Sequence, residues 1–111
     1  MNMKPFAITI RRSLYSTSHP TPWIGESHLM AQAEVVSDIY NLQIDPNDVL
    51  AVYLIDPVAG TTTNVTREVA DQVMELYKTA DDFLTVATRG FLYRFATDHT
   101  WLLAKKYQNW K

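Results

Sequence analysis

No cysteine occurs among the 111 residues of the chain. This absence excludes disulfide bonds, thiolate-bound metals, iron–sulfur clusters and cysteine nucleophiles from every hypothesis about function. Small secreted domains commonly depend on disulfides, so a chain without cysteine is more typical of a reducing compartment. We therefore expect a cytoplasmic protein.

Glycine and long apolar runs are also scarce. The three glycines form neither a GxGxxG nor a GxxxxGK[ST] pattern, the two loop signatures that hold the phosphates of dinucleotides and nucleoside triphosphates. No stretch of the sequence approaches the roughly 20 apolar residues of a membrane-spanning helix. The apolar run before Arg11 and Arg12 is too short for a signal peptide. We expect neither a cofactor nor a membrane partner.

The histidines give no sign of a metal or catalytic site. His19, His28 and His99 include no pair at i, i+4, and the patterns HExxH and GxSxG are absent. The sequence therefore favours a non-enzymatic protein that binds no metal. One alternative stays open, because residues 15–25 form a long, proline-containing loop of the kind that often carries function. A small enzyme could use this loop with His19 or His28.

The composition is typical of a folded domain. Apolar residues make up 47% of the chain, charged residues 20% and aromatic residues 12%. These fractions are close to the averages of globular proteins, and the length suits one domain. We therefore predict a single globular domain over residues 1–111.

Two segments have the pattern of strands. Phe6, Ile8 and Ile10 alternate with smaller or polar residues, which predicts a strand within residues 5–14 that has one buried face. Residues 49–56 are continuously apolar up to their last position, which indicates a central strand covered on both faces. A turn and three threonines follow and predict a short antiparallel return strand.

Helical periodicity recurs in three segments. Apolar spacing predicts helices over residues 26–42, from residue 64 or 66 to 79, and from residue 97 or 98 onwards. Residues 83–96 fit a helix or a strand, and we favour a helix over 82–88 and a strand over 90–96, with Gly90 as a break. Together these elements predict an α+β fold. It is a small two-layer domain in which a short, mainly antiparallel sheet packs against about three helices.

Charge is segregated along the chain. Residues 26–82 carry eleven acidic and two basic side chains, a net charge of −9, whereas the segments before and after carry +3 and +4. If the predicted helices present their acids on one side, the domain has an acidic face that suits a protein partner with a basic surface. The acids assigned to this face are Glu34, Asp38, Glu68, Asp71 and Glu75.

These observations favour a small non-enzymatic interaction protein that binds another macromolecule as an inhibitor or an accessory subunit. A phage or mobile-element anti-defence factor is one example of this class. Aromatic side chains such as Trp23 would serve as interface anchors. A homodimer is a further hypothesis, formed through an exposed edge strand near the N-terminus or through the aromatic C-terminal helix.

The C-terminal segment supports an alternative hypothesis. It interleaves cations with aromatic rings, the combination that holds single-stranded nucleic acids. The candidate nucleic-acid-binding residues are Arg89, Arg94, Trp101, Lys105, Lys106 and Trp110. The net charge of the chain is −2, which weakens this hypothesis, because nucleic-acid-binding domains are usually basic.

Overall fold

The computed structural model describes residues 4–12, 22–24 and 30–108, and it confirms the predicted α+β fold. The described strands form one antiparallel sheet in the order β2-β1-β3-β4: β1 (Phe6–Arg12), β2 (Pro22–Ile24), β3 (Val49–Asp56) and β4 (Thr61–Asn64). The described helices are α1 (Gln32–Tyr40), α2 (Thr66–Ala80), α3 (Val86–Phe95) and α4 (Asp98–Gln108). A short 3-10 helix, Pro46–Asp48, leads into β3.

β3 lies inside the sheet, as its continuous apolar run predicts. It pairs with β1 on one side, where Ala7 lies opposite Leu54 and Thr9 lies opposite Val52, and with β4 on the other side. The return strand predicted from the threonines is β4. β1 is also an inner strand, so the edges of the described sheet are β2 and β4. On the side away from β3, β1 pairs with β2 over Ile10–Arg12 and with Met30 at Ala7. The homodimer stays a prediction.

The two faces of the sheet differ in burial. Ala7, Thr9 and Val52 are buried under the helices. The opposite face carries larger apolar side chains, each half-buried and none belonging to the core under the helices: Phe6, Ile8, Ile10, Ala51, Tyr53 and Ile55. The single buried face predicted for the first strand is thus the face with the smaller side chains. β3 was expected to be covered on both faces; among the described residues, the helices cover one face, and the side chains on the other face are half-buried.

The helical layer follows the apolar spacing of the sequence. Val69 and Val73 of α2 lie at i, i+4, as do Val35 and Ile39 of α1, and all four are fully buried. Phe91 of α3 completes this core from the other side of α2 and is also fully buried. Complete burial of one such side chain contributes about 1.5–3 kcal/mol. Packing between the layers is therefore the main source of stability.

The segment that fits both helix and strand forms one helix. The strand favoured over 90–96 is wrong, and so is the helix over 82–88, because α3 begins only at Val86. Thr85 caps this helix through its hydroxyl, which accepts a backbone hydrogen bond from the first turn. Phe91 is fully buried, whereas Tyr93, two residues later, is 70% exposed. A strand with one buried face would place these two rings on the same side.

α1 is shorter than the helix predicted over residues 26–42. Met30 accepts a hydrogen bond from β1 and extends the sheet, so the helix begins only at Gln32. It ends at Tyr40, and Leu42 then adopts a positive φ of 62°. That left-handed conformation directs the chain away from the helix axis.

α4 is attached to α2 by side-chain hydrogen bonds at both ends. The carboxylate of Asp71 accepts hydrogen bonds from the backbone N–H of Thr97 at 3.0 Å and from its hydroxyl at 3.3 Å, just before α4 begins. Near the other end, the hydroxyl of Tyr107 lies 2.9 Å from the carbonyl oxygens of Tyr77 and Asp82. The carbonyl of Tyr77 also accepts from the backbone N–H of Asp82, so the hydroxyl of Tyr107 adds a contact that fixes α4 to the C-terminal end of α2.

Candidate functional site

A groove lies between α1 and α2. The two helices run in the same direction, because Gln32 Nε2 donates to Gln72 Oε1 at 3.0 Å near the start of α1, and Tyr40 packs edge-on against Tyr77 near its end. The groove has a volume of about 650 Å³. Its lining residues are Gln32, Ala33, Val36 and Ser37 of α1, and Glu68, Gln72, Glu75 and Leu76 of α2.

The groove combines apolar and acidic side chains. Val36 is buried beneath it, Ala33 is exposed, and Leu76 is 37% exposed although it is a large apolar residue. Glu68 and Glu75 are exposed and seven residues apart, which places them on one face of α2. None of the lining side chains is basic. The groove is therefore suited to a ligand that presents both apolar surface and positive charge.

The other acids assigned to the acidic face lie outside this groove. Glu34 is exposed, and its carboxylate accepts a hydrogen bond at 3.2 Å from a backbone N–H at the start of α1. Asp71 is half-buried and binds the chain segment before α4, and Asp38 is half-buried in the last turn of α1. The structure therefore brings together Glu68 and Glu75, whereas Glu34 and Asp71 have local structural roles.

No known relative helps to assign this groove. Models of protein families, curated proteins and solved structures give no match to the chain. Within the described ranges, no group of three or more histidine, cysteine, aspartate or glutamate side chains is placed to hold a metal ion. No helix in the same part of the chain is long and apolar enough to cross a membrane.

The candidate nucleic-acid-binding residues are distributed over α3 and α4. Lys105 and Lys106 are exposed in the last turns of α4, and Arg89 is half-buried in α3. Trp101 is half-buried against the core, and its ring packs edge-on against Tyr93 with centroids 5.3 Å apart. Much of the tryptophan ring is thus engaged within the protein, which leaves less of it to stack on a base.

Arg94 differs from these cations because the backbone holds its guanidinium in place. Its Nη2 donates to the carbonyl oxygen of Pro46 at 2.8 Å, and its Nε donates to that of Gly90 at 3.3 Å. The guanidinium carbon lies 5.0 Å from the centroid of the Phe95 ring. Burial and the neighbouring charge of Arg12 lower the pKa of Arg94. Arg94 is therefore a fixed cation, and it lines a second pocket.

Two features of the candidate site are absent from the sequence prediction. Gln72 and Leu76 line the groove, but the sequence prediction did not include them in a binding site. Their positions are nevertheless regular, because Glu68, Gln72 and Leu76 recur every four residues along one face of α2. That spacing identifies the face of α2 from sequence alone. The contribution of α1, through residues such as Gln32, depends on how the two helices pack, which the spacing does not contain.

The loop proposed for a small enzyme lies largely outside the described residues. Residues 22–24 of this segment form β2, while His19 and His28 lie outside the described residues. Trp110 lies outside them as well. The hypothesis of an enzyme that uses residues 15–25 stays a prediction from the sequence.

Proposed function

We propose that the chain is a small non-enzymatic interaction protein that binds a basic segment of another protein in the groove between α1 and α2. The observation that carries this proposal is the groove itself, which holds exposed Leu76 and two carboxylates and has no basic lining residue.

A groove between two helices that run side by side favours an amphipathic helix as the bound segment. Apolar side chains of that helix would cover Ala33, Val36 and Leu76. Glu68 and Glu75 are two helical turns apart, about 10 Å along the axis of α2. We therefore expect the bound helix to carry lysine or arginine at two positions about seven residues apart, on the edge that faces α2.

The apolar and acidic residues contribute differently to such binding. Exposed ion pairs contribute at most about 1 kcal/mol each, so most of the affinity has to come from apolar contact over the exposed side chains of Leu76 and Ala33. The two carboxylates would instead accelerate association and select against acidic partners. A rigid binding module of this kind could act as an inhibitor or as an accessory subunit, because occupying a basic segment blocks or recruits the protein that carries it.

The experiment is a comparison of partner recovery by wild-type chain and by two variants. Tagged protein is incubated with nuclease-treated extract of the cells in which the chain naturally occurs, and bound proteins are quantified by mass spectrometry. In the first variant, Glu68→Gln with Glu75→Gln neutralises the groove. In the second, Ala33→Arg fills the groove from an exposed position of α1. The first variant should reduce recovery of a partner with a basic surface several-fold, and the second should reduce it at least tenfold.

A matched control is Asp98→Asn in the first turn of α4, which removes one exposed carboxylate outside the groove. It should leave recovery unchanged. Equal recovery by wild-type chain and both groove variants would contradict the proposal. Partners that wild-type chain recovers from untreated extract but loses in nuclease-treated extract would favour nucleic acid instead. Lys105→Glu with Lys106→Glu would then be the variant to test.

A further inference from the structure

A second pocket lies where β4 passes into α2, against the end of α3. Its volume is about 460 Å³, and Leu50 of β3 and Phe95 of α3 form its apolar part. The polar lining residues come from two places: Asn64, Thr66, Arg67 and Glu68 at the junction of β4 and α2, and Arg94 on α3. Glu68 lines both this pocket and the groove, and the other lining residues of the two differ.

Among the residues that the structure describes, no carboxylate pairs with the arginines around this pocket. Within the described part of the chain, Arg12 and Arg67 form no ion pair, and the described bonds of Arg94 are to the backbone carbonyls of Pro46 and Gly90. Arg12 is close enough to Arg94 for their like charges to repel each other. Arg67 and Arg94 line the pocket. An anion bound there would offset their positive charge and pair with guanidinium groups, whose planar geometry matches phosphate and carboxylate oxygens.

Asn64 also presents a donor. Its side-chain oxygen Oδ1 accepts hydrogen bonds from the backbone N–H of Thr66 at 3.0 Å and from the hydroxyl of Thr66 at 2.6 Å. Since the oxygen is occupied by Thr66, the group that Asn64 can offer to a ligand is its NH2. Two arginines and this amide therefore make the wall of the pocket predominantly a set of donors.

Glu68 is the exception among the polar lining residues. Its carboxylate repels a ligand that is negatively charged throughout, and it accepts hydrogen bonds from hydroxyl or amino groups. Leu50 and Phe95 provide an apolar wall for a ring. We infer that this pocket binds a small phosphate monoester, with the phosphate between Arg67 and Arg94 and a sugar hydroxyl on Glu68. A sugar phosphate and a nucleoside monophosphate share this chemistry, and the volume is in the range of small-molecule sites.

The test is a titration of the full chain followed by amide chemical shifts in NMR spectra. The probes are ribose 5-phosphate, adenosine monophosphate, inorganic phosphate and ribose. The expected result is saturable shifts of the amides of residues 64–68 and 94–95 with at least one of the two esters. Binding by ribose 5-phosphate alone assigns the site to sugar phosphates, whereas tighter binding of the nucleotide assigns it to nucleoside monophosphates.

Variants separate this pocket from the groove and from general surface charge. Arg67→Gln, at an exposed position, and Arg94→Lys, which keeps the charge but loses the fork geometry, should each weaken ester binding at least tenfold. Lys105→Gln with Lys106→Gln, on α4, should leave it unchanged, and so should Glu75→Gln, which tests the groove.

Three results would overturn the inference. One is the absence of saturable shifts with either ester, in a chain whose folding is verified by circular dichroism. Another is an affinity for inorganic phosphate or for ribose that equals the affinity for the esters. Equal binding of inorganic phosphate would show that the sugar is not recognised, and equal binding of ribose would show that the phosphate is not. The third is tighter binding of a dinucleotide phosphodiester, which would point to a nucleic-acid strand instead.

Discussion

Replacing Thr66 by valine should destabilise the protein through one specific buried group, the backbone N–H of Val52. If the antiparallel ladder between β3 and β4 continued past Asn64, the backbone carbonyl of Val65 would accept a hydrogen bond from the backbone N–H of Val52. Val65 does donate to the carbonyl oxygen of Val52 at 2.9 Å, but its own carbonyl accepts from Val69 in the first turn of α2. The hydroxyl of Thr66 takes the missing position and accepts from the N–H of Val52 at 2.8 Å.

The expected cost follows from the burial of both partners. Val52 is fully buried and Thr66 is 5% exposed, so water cannot replace the lost acceptor. A buried N–H left without a partner costs about 1–3 kcal/mol, and valine fills nearly the same volume as threonine. We expect Thr66→Val to lower the free energy of unfolding by about 2 kcal/mol, which corresponds to a decrease in Tm of about 8 °C.

Urea denaturation with an unchanged m-value measures this cost, and amide hydrogen exchange at Val52 locates it. Thr66→Ser is the matched control, because it keeps the hydroxyl and removes one methyl group, at a cost of about 1 kcal/mol. The amide of Val52 should exchange faster in Thr66→Val and keep its protection in Thr66→Ser. If valine costs no more than serine, the hydroxyl does not complete the ladder and the reasoning is refuted.

Three further predictions concern other parts of the fold. Ile39→Ala should cost about 3–4 kcal/mol in urea denaturation and Ile8→Ala about 1 kcal/mol, because Ile8 lies on the sheet face outside the core; equal costs would contradict that arrangement. Gly90→Ala should stabilise the protein by about 0.5–1 kcal/mol, since a Cβ in α3 meets only ordinary contacts; destabilisation would show a clash. The hydrogen bond to the carboxylate of Asp82 raises the pKa of Tyr40 to about 12. The neutral hydroxyl of Tyr40 therefore stabilises the fold fully below a pH of about 10, and this contribution is lost as the pH rises through about 12. Difference absorbance titration against Tyr40→Phe checks this value, and Asp82→Asn should return the pKa toward about 10.

The elements that sequence predicts well are those decided by one local pattern. The bounds of β3 match its apolar run over residues 49–56, and α2 matches its periodicity to within about two residues. Both elements bury a face that is continuous in sequence, so local spacing and tertiary packing favour the same structure.

The elements that sequence predicts poorly are those decided by partners distant in the chain. Phe91, Tyr93 and Phe95 alternate like a strand, but Phe91 is fully buried and Phe95, four residues later at the helical spacing, packs against the same core. Gly90 has space around it within the helix and does not end it. The propensity of glycine is weak compared with burial of an aromatic ring, so packing determines the outcome.

The candidate groove follows the same division. The sequence can predict that Glu68 and Glu75 share one face of α2, because their spacing of seven residues on one helix is a local property. The structural roles of Asp71 and Glu34 could not be predicted from sequence. The role of Asp71 depends on a hydrogen bond to Thr97, 26 residues later, and the role of Glu34 depends on where α1 begins. A block of like charges in sequence therefore contains both binding candidates and residues used by the fold.

The hydrogen bonds of Tyr107 have a consequence for the order in which the chain acquires its structure during synthesis. All described strands precede residue 65, so the sheet can pair early, while the helices that bury its inner face are still being translated. The hydroxyl of Tyr107 reaches the end of α2 only after nearly the whole described chain has been made. A ribosome that stops before α4 leaves a chain with a formed sheet, an open end of α2 and an incomplete core, which proteases and chaperones recognise. The contacts of α4 are thus the last of the described chain to form during synthesis.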